Sequence, residues 1–413
     1  MLRDDARHDS YAALRHPGFR WFSASLLSQT LATQIQGVVV GWQVYQNTRD
    51  PLALGLVGLA EALPFLTMAL FAGHVADRVS RRGLVLAALA VLNGSSLALL
   101  VFTVTGHVGV GSVWPVYAVL AASGVARSFL QPARTAMLSQ LVQPPLYPNA
   151  VGWRTSVWQF GAVIGPALGG ILYAIGGATL GYLVDAGLMV GAWATLVRVP
   201  SSPPPPAVAT SSVLASLGEG LRFVWTRPVL LSALTLDLLA VLFGGAEALL
   251  PLFAAEILHV GPTGLGALRA APAIGSVLTA LVMAHRPPVE RSGPALLAAV
   301  SVFGLSIIGF GFSRDPALSW LFLAIAGMAD NVSVVLRATM LQVLTPPQLL
   351  GRVSAVNAIF IGSSNEIGAF ESGVAAKLIG AVPAVVLGGV VTLLVVALTA
   401  WRVPVLRRLE RIE

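Results

Sequence analysis

The chain has 413 residues, of which 56% are hydrophobic and only 10% charged, and it carries a formal charge of +7 with no cysteine. Such a composition argues against a soluble multidomain protein, and the lack of cysteine removes disulfides, thiolate chemistry and cysteine metal sites. The cations sit at the ends of apolar runs and not in a patch with interleaved aromatics, so no nucleic-acid partner is expected.

Met1 to Arg20 carries Asp4, Asp5 and four arginines with no small-residue cleavage site after it, which is not the pattern of a cleaved signal peptide. Apolar runs then recur at about 21–45, 52–76, 83–105, 113–138, 149–175, 178–198, 228–256, 264–284, 294–312, 317–343, 350–376 and 380–401. Each is long enough to cross a hydrocarbon core of roughly 30 Å. They are continuous and not alternating, which predicts an all-α membrane protein of twelve transmembrane helices and excludes a β-barrel.

Arginines set the orientation. With the N-terminus cytoplasmic, seventeen fall on the inside, against Arg49, Arg314 and Lys377 outside and Arg269 at an outer edge. The bias places both termini on the cytoplasmic side of a multi-pass cell-membrane protein. The longest break, Pro200 to Pro228, opens with Ser-Ser-Pro-Pro-Pro-Pro, and Leu214, Leu217, Leu221 and Val224 then recur at helical spacing. Three units are expected: 1–199, a six-helix bundle; 200–227, a cytoplasmic linker with an interfacial helix; and 228–413, a second six-helix bundle.

The halves resemble each other. A shift of 203 places Gly124 on Gly327, Arg134 on Arg337, Met137 on Met340, Leu141 on Leu344, Pro144 on Pro347 and Gly170 on Gly373. A parallel repeat of six helices is the build of transporters that rock two bundles around a midplane site.

Charge gathers at one loop, where Gly73, Asp77, Arg78, Arg81 and Arg82 form Gly-x-x-x-Asp-Arg-x-x-Arg-Arg between the second and third runs. Here the chain resembles the major facilitator superfamily, over essentially its whole length. The resemblance implies the two-bundle major facilitator fold and a gating role for the loop, with Asp77 helping to lock the cytoplasmic side. A purely topogenic cluster is the plainer reading, and both can hold. The equivalent loop, 284–291, lacks the Gly and Asp, so asymmetric gating is expected.

In the fifth run, Gly152, Gly161, Gly165, Pro166 and Gly169 are followed by Gly170. Glycines every four residues make one smooth face for close helix approach, and the eighth run offers Gly266, Ala270 and Ala273 as a partner face. The ladder resembles that of the drug/proton antiporter branch, which implies export; close packing alone is the structural alternative. His16-Pro17-x-Phe19-Arg20, the proline-rich centre, and Thr345-Pro346-Pro347 with Leu350-Gly351-Arg352-Val353 resemble the enterobactin-exporter-like subgroup.

Ionisable groups inside hydrocarbon cost about 2.5–3.5 kcal/mol on insertion scales, so each is a functional candidate. Gln29, Gln36 and Gln43 share a face of the first run, as do Arg127, Gln131 and Arg134 in the fourth. The resemblance implies that helices 1, 4, 7 and 10 surround a central cavity, so these residues and Arg337 are expected to line it, with Asn357 and Ser364 of the eleventh run.

The repeat maps Arg127 onto Asp330, which suggests that Asp330 is neutralised in turn by a proton and by a cation such as Arg127; a static pair is the alternative. Glu61, Asp237, Glu247, Glu366 and Glu371 compete for the proton role, and Glu61 and Glu371 are also candidate latches between helices 2 and 11. Asp185 and Arg154 are expected to be structural. All six histidines fall in tails, loops or helix ends, so no metal site is expected.

There is no phosphate-binding Gly-x-x-x-x-Gly-Lys loop, no His-Glu-x-x-His and no cysteine nucleophile, so no nucleotide-driven pump, enzyme or cofactor is expected. The reading is a proton-coupled exporter of an amphipathic small molecule such as a siderophore or drug, acting as a monomer in membrane lipid by alternating access. Uptake by proton symport is the alternative, and a transport-inactive membrane receptor or scaffold is the alternative of a different class.

Overall fold

A computed structural model of the protein describes residues 9–76, 79–109, 112–201, 213–286 and 290–409. The first bundle contains α1 (Pro17–Thr48), α2 (Pro51–Ala76), α3 (Arg81–Val104) and α4 (Trp114–Leu141). A stretch Tyr147–Val197 follows that is helical but for Gly176 (φ −136°) and Gly177 (φ +63°), which split it into α5, 147–175, and α6, 178–197. Only glycine takes the second of those conformations without strain, so two residues suffice to turn the chain.

A linker helix, Val213–Trp225, precedes the second bundle, which contains α7 (Pro228–Gly244), α8 (Gly261–Ala284), α9 (Ser292–Phe312), α10 (Pro316–Leu344), α11 (Leu350–Ile379) and α12 (Ala381–Arg402). Prolines open α1, α2, α7 and α10, where the missing N–H would have no intrahelical partner in any case. Left-handed Arg49 (φ 52°) and Gly380 (φ 90°) end α1 and α11 and permit abrupt reversals into the next helix.

Among the described residues, eight stretches are long and apolar enough to cross a membrane, and one of them, 144–197, contains both α5 and α6. The helices that fall short are α1, α4 and α11. These carry the glutamine, arginine and glutamate stripes, so their polarity is what withholds them from a hydropathy count.

The seventh run is not one helix to its end. After α7 stops at Gly244, the chain passes through a 3-10 turn at Glu247–Leu249, one turn at Leu250–Leu252 and a π-turn at Phe253–Ile257. Ser372 of α11 donates to the freed Gly245 carbonyl at 2.9 Å, which satisfies the break from a neighbouring helix.

The repeat is visible in backbone contacts. A Cβ on Gly124 of α4 would stand 3.3 Å from the Glu61 Cα of α2 and overlap its carbonyl, and a Cβ on Gly327 of α10 would stand 2.5 Å from the Pro272 Cα of α8. Between the bundles, Gly55 of α2 meets Gly373 of α11, and Gly170 of α5 meets Gly266 of α8, with Cβ-to-Cα distances of 3.2 and 3.1 Å.

All of these inter-bundle glycine contacts lie at the end of the molecule that holds the α1–α2, α7–α8 and α11–α12 turns, termed the hairpin end. Ion pairs Lys377–Asp50 (2.5 Å) and Arg49–Glu256 (3.7 Å) cross there too. A buried apolar cluster that includes Val39, Val44, Leu250, Phe253 and Leu265 joins both bundles at this end. Toward the termini the buried apolar residues divide into separate clusters, one built around Phe22, Leu89 and Met137 and others around Leu236, Met340 and Val356.

Candidate functional site

Close approach at Gly124 decides the first charge contact. It draws the backbone of α2 at Glu61 against α4, and Arg127, one turn along α4, pairs with the Glu61 carboxylate. In the second bundle Gly327 makes the same approach, but the α8 residue it meets is Pro272. Asp330, which occupies the place of Arg127 in the repeat, therefore has no side-chain mate on that helix.

Two turns nearer the terminal end the situation reverses. Arg337 of α10 pairs with Asp237 of α7 at 2.6 Å and donates its Nε to Ser333 at 3.3 Å, both charges being buried. Arg134 of α4 is just as buried, yet its only partner among the described residues is the neutral Gln29 of α1, whose Oε1 accepts from Nη1 at 2.6 Å. Its Nη2 has no hydrogen-bond partner.

At these two levels, among the described residues, α4 thus leaves Arg134 without an acid and α10 leaves Asp330 without an ion pair, while the buried Asp185 of α6 stands within electrostatic reach of Arg127, and Arg337 within that of Asp330. Asp237, Asp330 and Ser333 line a cavity of about 10 Å³, together with Ala240, Val241, Val300, Phe303 and Ala329. That is room for about one water molecule.

Near the hairpin end a further group of charges spans the two bundles. Arg269 of α8 reaches across to α1, where its Nη1 lies 3.3 Å from the place a Cβ would take on Gly37. It stands within electrostatic reach of Glu247, Glu366 and Glu61. The Glu366 carboxylate of α11 lies 3.5 Å from the Cβ position of Gly58, one turn from Glu61 on α2. Glu247 is exposed at the break that follows α7.

Several expectations change. Arg127 pairs with Glu61 inside one bundle and not with Asp330, because Gly124 brings α2 closer to it than any helix of the other half. Of the α11 acids, Glu366 is the one against the Glu61 turn of α2, and Glu371 has no ion pair among the described residues. The glutamine stripe of α1 turns into the first bundle: Gln36 donates to Asp185 at 2.9 Å and to Ser96 at 3.3 Å, and Gln43 donates to Thr103 at 3.1 Å and accepts from Tyr182 at 2.7 Å. Buried amides seek partners, and α3 and α6 supply them.

Gln131 is exposed on its helix, Asn357 is half-buried, and Ser364 is buried with its hydroxyl on the Ile361 carbonyl at 2.9 Å. The glycine ladder of α5 meets α1 and not α8: Cβ atoms on Gly161 and Gly165 would fall 2.6 and 2.5 Å from Thr30 and Gln34 side chains, and one on Gly169 would fall 3.1 Å from the Ile35 Cα. The α8 contact is made by the adjacent line of Pro166 and Gly170. A residue four positions on drifts about 40° around a helix, so two neighbouring lines serve two neighbours. Gly152 has open space about it.

In the loop expected to gate, Gly73 lies in the last turn of α2, while Asp77 and Arg78 fall outside the described residues. Arg81 donates to the Ala136 carbonyl of α4 at 2.9 Å and Arg82 to the Val197 carbonyl closing α6. Both guanidinium groups meet carbonyls near helix C-termini, where the helix dipole favours a cation; the Ala136 carbonyl also accepts from the Ser139 hydroxyl at 2.8 Å. Arg269 was legible only as a cation at an outer edge, and the signal that would have raised it was its place inside an apolar run.

Compared with known proteins, the chain matches the Major Facilitator Superfamily over residues 22–369. The chain belongs to this superfamily. It is a multi-pass membrane transport protein and not an enzyme. It is 29% identical over 392 residues to the multidrug efflux pump Tap of Mycolicibacterium fortuitum, covering 90% of this chain and 92% of that one. It is 27% identical over 404 residues to the enterobactin exporter EntS of Citrobacter koseri, covering 94% of each. Among solved structures, the nucleoside transporter NupG aligns with TM-score 0.74 at 12% identity, over 94% of this chain and all of the other (100%). The human organic anion transporter MFSD10 aligns with TM-score 0.64 at 17% identity, over 93% and 99%. These two likenesses establish the major facilitator fold: twelve helices in two pseudo-symmetric bundles of six.

Proposed function

We propose that this transporter exports an amphipathic small molecule in exchange for protons, and that Asp330 carries the proton. The observation behind this reading is the acidic surplus around the water-sized cavity: one cation, Arg337, faces two carboxylates there, pairing with Asp237 and leaving Asp330 without an ion pair among the described residues, so that a proton can complete its neutralisation. Loading and unloading that proton changes the charge between α7 and α10, and a conformational equilibrium responds to such a change when the two states hold the group differently. The direction, export, is supported by the exporters among the relatives and by the α5 glycine ladder.

With both termini cytoplasmic, the hairpin end faces outward, and the joined bundles there close the outer side. The units 1–199 and 228–413 then rock about that contact, and 200–227 tethers them on the inside, where Glu219 of the linker helix pairs with Arg352 of α11. Arg81 and Arg82 hold the gating loop on the same side, and Glu366, Glu61 and Arg269 form charge contacts that must part when the outer side opens.

Purified protein in liposomes tests the reading. An imposed pH gradient should drive accumulation of a lipophilic dye, and Asp330→Asn should abolish the dependence on the gradient while the protein stays folded. Undiminished gradient-driven flux in Asp330→Asn would refute the role given to this residue.

A further inference from the structure

Arg134 is a buried cation for which the described residues provide no anion. Its partner is an amide, its Nη2 is unpaired, and no carboxylate of the described residues reaches it. The repeat shows what a completed version looks like, because Arg337 in the equivalent place has Asp237 at 2.6 Å. Burying a guanidinium without a counter-charge is costly, and truncating one partner of such a pair destabilises by about 3–5 kcal/mol. A chain that already holds a carboxylate on the equivalent helix of its second half has the simple means to remove that cost and has not used it among the described residues of its first.

The location fits a ligand contact. Arg134 shares a face of α4 with Arg127 and Gln131, and Gln131 is exposed, so that this face carries polar atoms out of the bundle. Arg127 on the same face is already engaged by Glu61, which leaves Arg134 as the cation on the face without an acid. It lies toward the terminal end, where no apolar cluster joins the two bundles among the described residues. Gln29, hydrogen-bonded through Nε2 to Thr33 at 3.0 Å, holds the guanidinium by Nη1 and leaves Nη2, itself buried, without the acceptor that an anionic oxygen would supply.

Resting on the transport reading above, we propose that Arg134 binds an anionic group, carboxylate or sulfonate, on the cargo, so that this transporter selects amphipathic anions over cations. The cargo supplies the missing charge, and its departure restores the unpaired state. Arg134 is a specificity-determining contact in this scheme, and Gln29 is a positioning residue that acts through it.

The test uses full-length protein in detergent with two fluorescent amphipaths, carboxyfluorescein as the anion and rhodamine 123 as the cation, titrated by polarisation. Wild type should bind the anion at least about tenfold more tightly than the cation, the weight of one charge-assisted bidentate contact. Gln29→Asp, which copies the Arg337–Asp237 pair, and Arg134→Gln should each lose anion binding by at least about tenfold with cation binding unchanged, whereas Arg134→Lys should keep most of it. Gln29→Asp should also melt no lower than wild type, which separates lost binding from lost folding. Anion affinity unchanged in Gln29→Asp and Arg134→Gln, or equal affinity of wild type for both dyes, overturns the assignment. In liposomes, anion binding without flux would overturn the transport reading alone, and flux of the cation without anion preference would overturn the assignment alone.

Discussion

α4 and α10 are the same helix twice, and the chain has wired them in opposite senses. In α4 the upper charge, Arg127, is paired and the lower one, Arg134, is not; in α10 the upper charge, Asp330, is unpaired and the lower one, Arg337, is paired. Both differences come from single residues on neighbouring helices, Glu61 against Pro272 and Gln29 against Asp237. A duplicated scaffold can thus leave a cation without an acid in one half and a carboxylate without an ion pair in the other without changing a backbone contact. On the reading proposed above, the unpaired cation receives an anion and the unpaired carboxylate a proton.

The comparison breaks first under truncation. Asp237→Ala strands Arg337 and should destabilise the protein by about 3–5 kcal/mol, whereas Gln29→Ala should cost about 1.5–3 kcal/mol, the range for a hydrogen bond to a charge. Reversible unfolding in detergent measures both, and equal costs would mean that the halves are built alike after all.

A transplant sharpens it. Pro272→Lys places a cation where α8 faces Asp330, as α2 places Glu61 against Arg127, and should reduce gradient-driven transport by about tenfold or more with folding retained. Flux as fast as wild type would show that pairing at this level does not set coupling. Overpacking gives a smaller change. Gly170→Val pushes on the Gly266 backbone and should weaken the hairpin-end contact by about 1–3 kcal/mol. Since the chain has no cysteine, a single reporter at Gln131→Cys reads the shift as altered thiol labelling. At the small end, Lys377→Ala removes an exposed pair with Asp50 and should change the same labelling by no more than about 1 kcal/mol, less in high salt.

Much of this protein is written in its sequence. The apolar runs, the arginine bias and the shift of 203 follow from the length scale and dielectric of a membrane, which act on each segment separately. Which charge meets which does not, because pairing depends on how far one backbone can approach another. Gly124 was legible as a repeated glycine, but its effect, the delivery of Glu61 to Arg127, requires the packed pair of helices. Likewise Gln29, Gln36 and Gln43 were legible as one face of α1, and periodicity does not say which neighbour a face meets. The break after α7 also escaped, since Gly244 and Gly245 lie in an apolar run that hydropathy reads as continuous.

The paired glycine contacts at the hairpin end carry a mechanical consequence. Gly55–Gly373 and Gly170–Gly266 are two bearings on one shaft: repeat-related, made of bare backbone, and set on opposite flanks of the interface. Two bearings leave a single easy motion, tilt about the line that joins them, and resist slip along it or twist across it. With no side chains interposed at these two contacts, neither bearing itself has to repack for small angles of that tilt, and on the proposed transport reading a small displacement there becomes a large one at the far end.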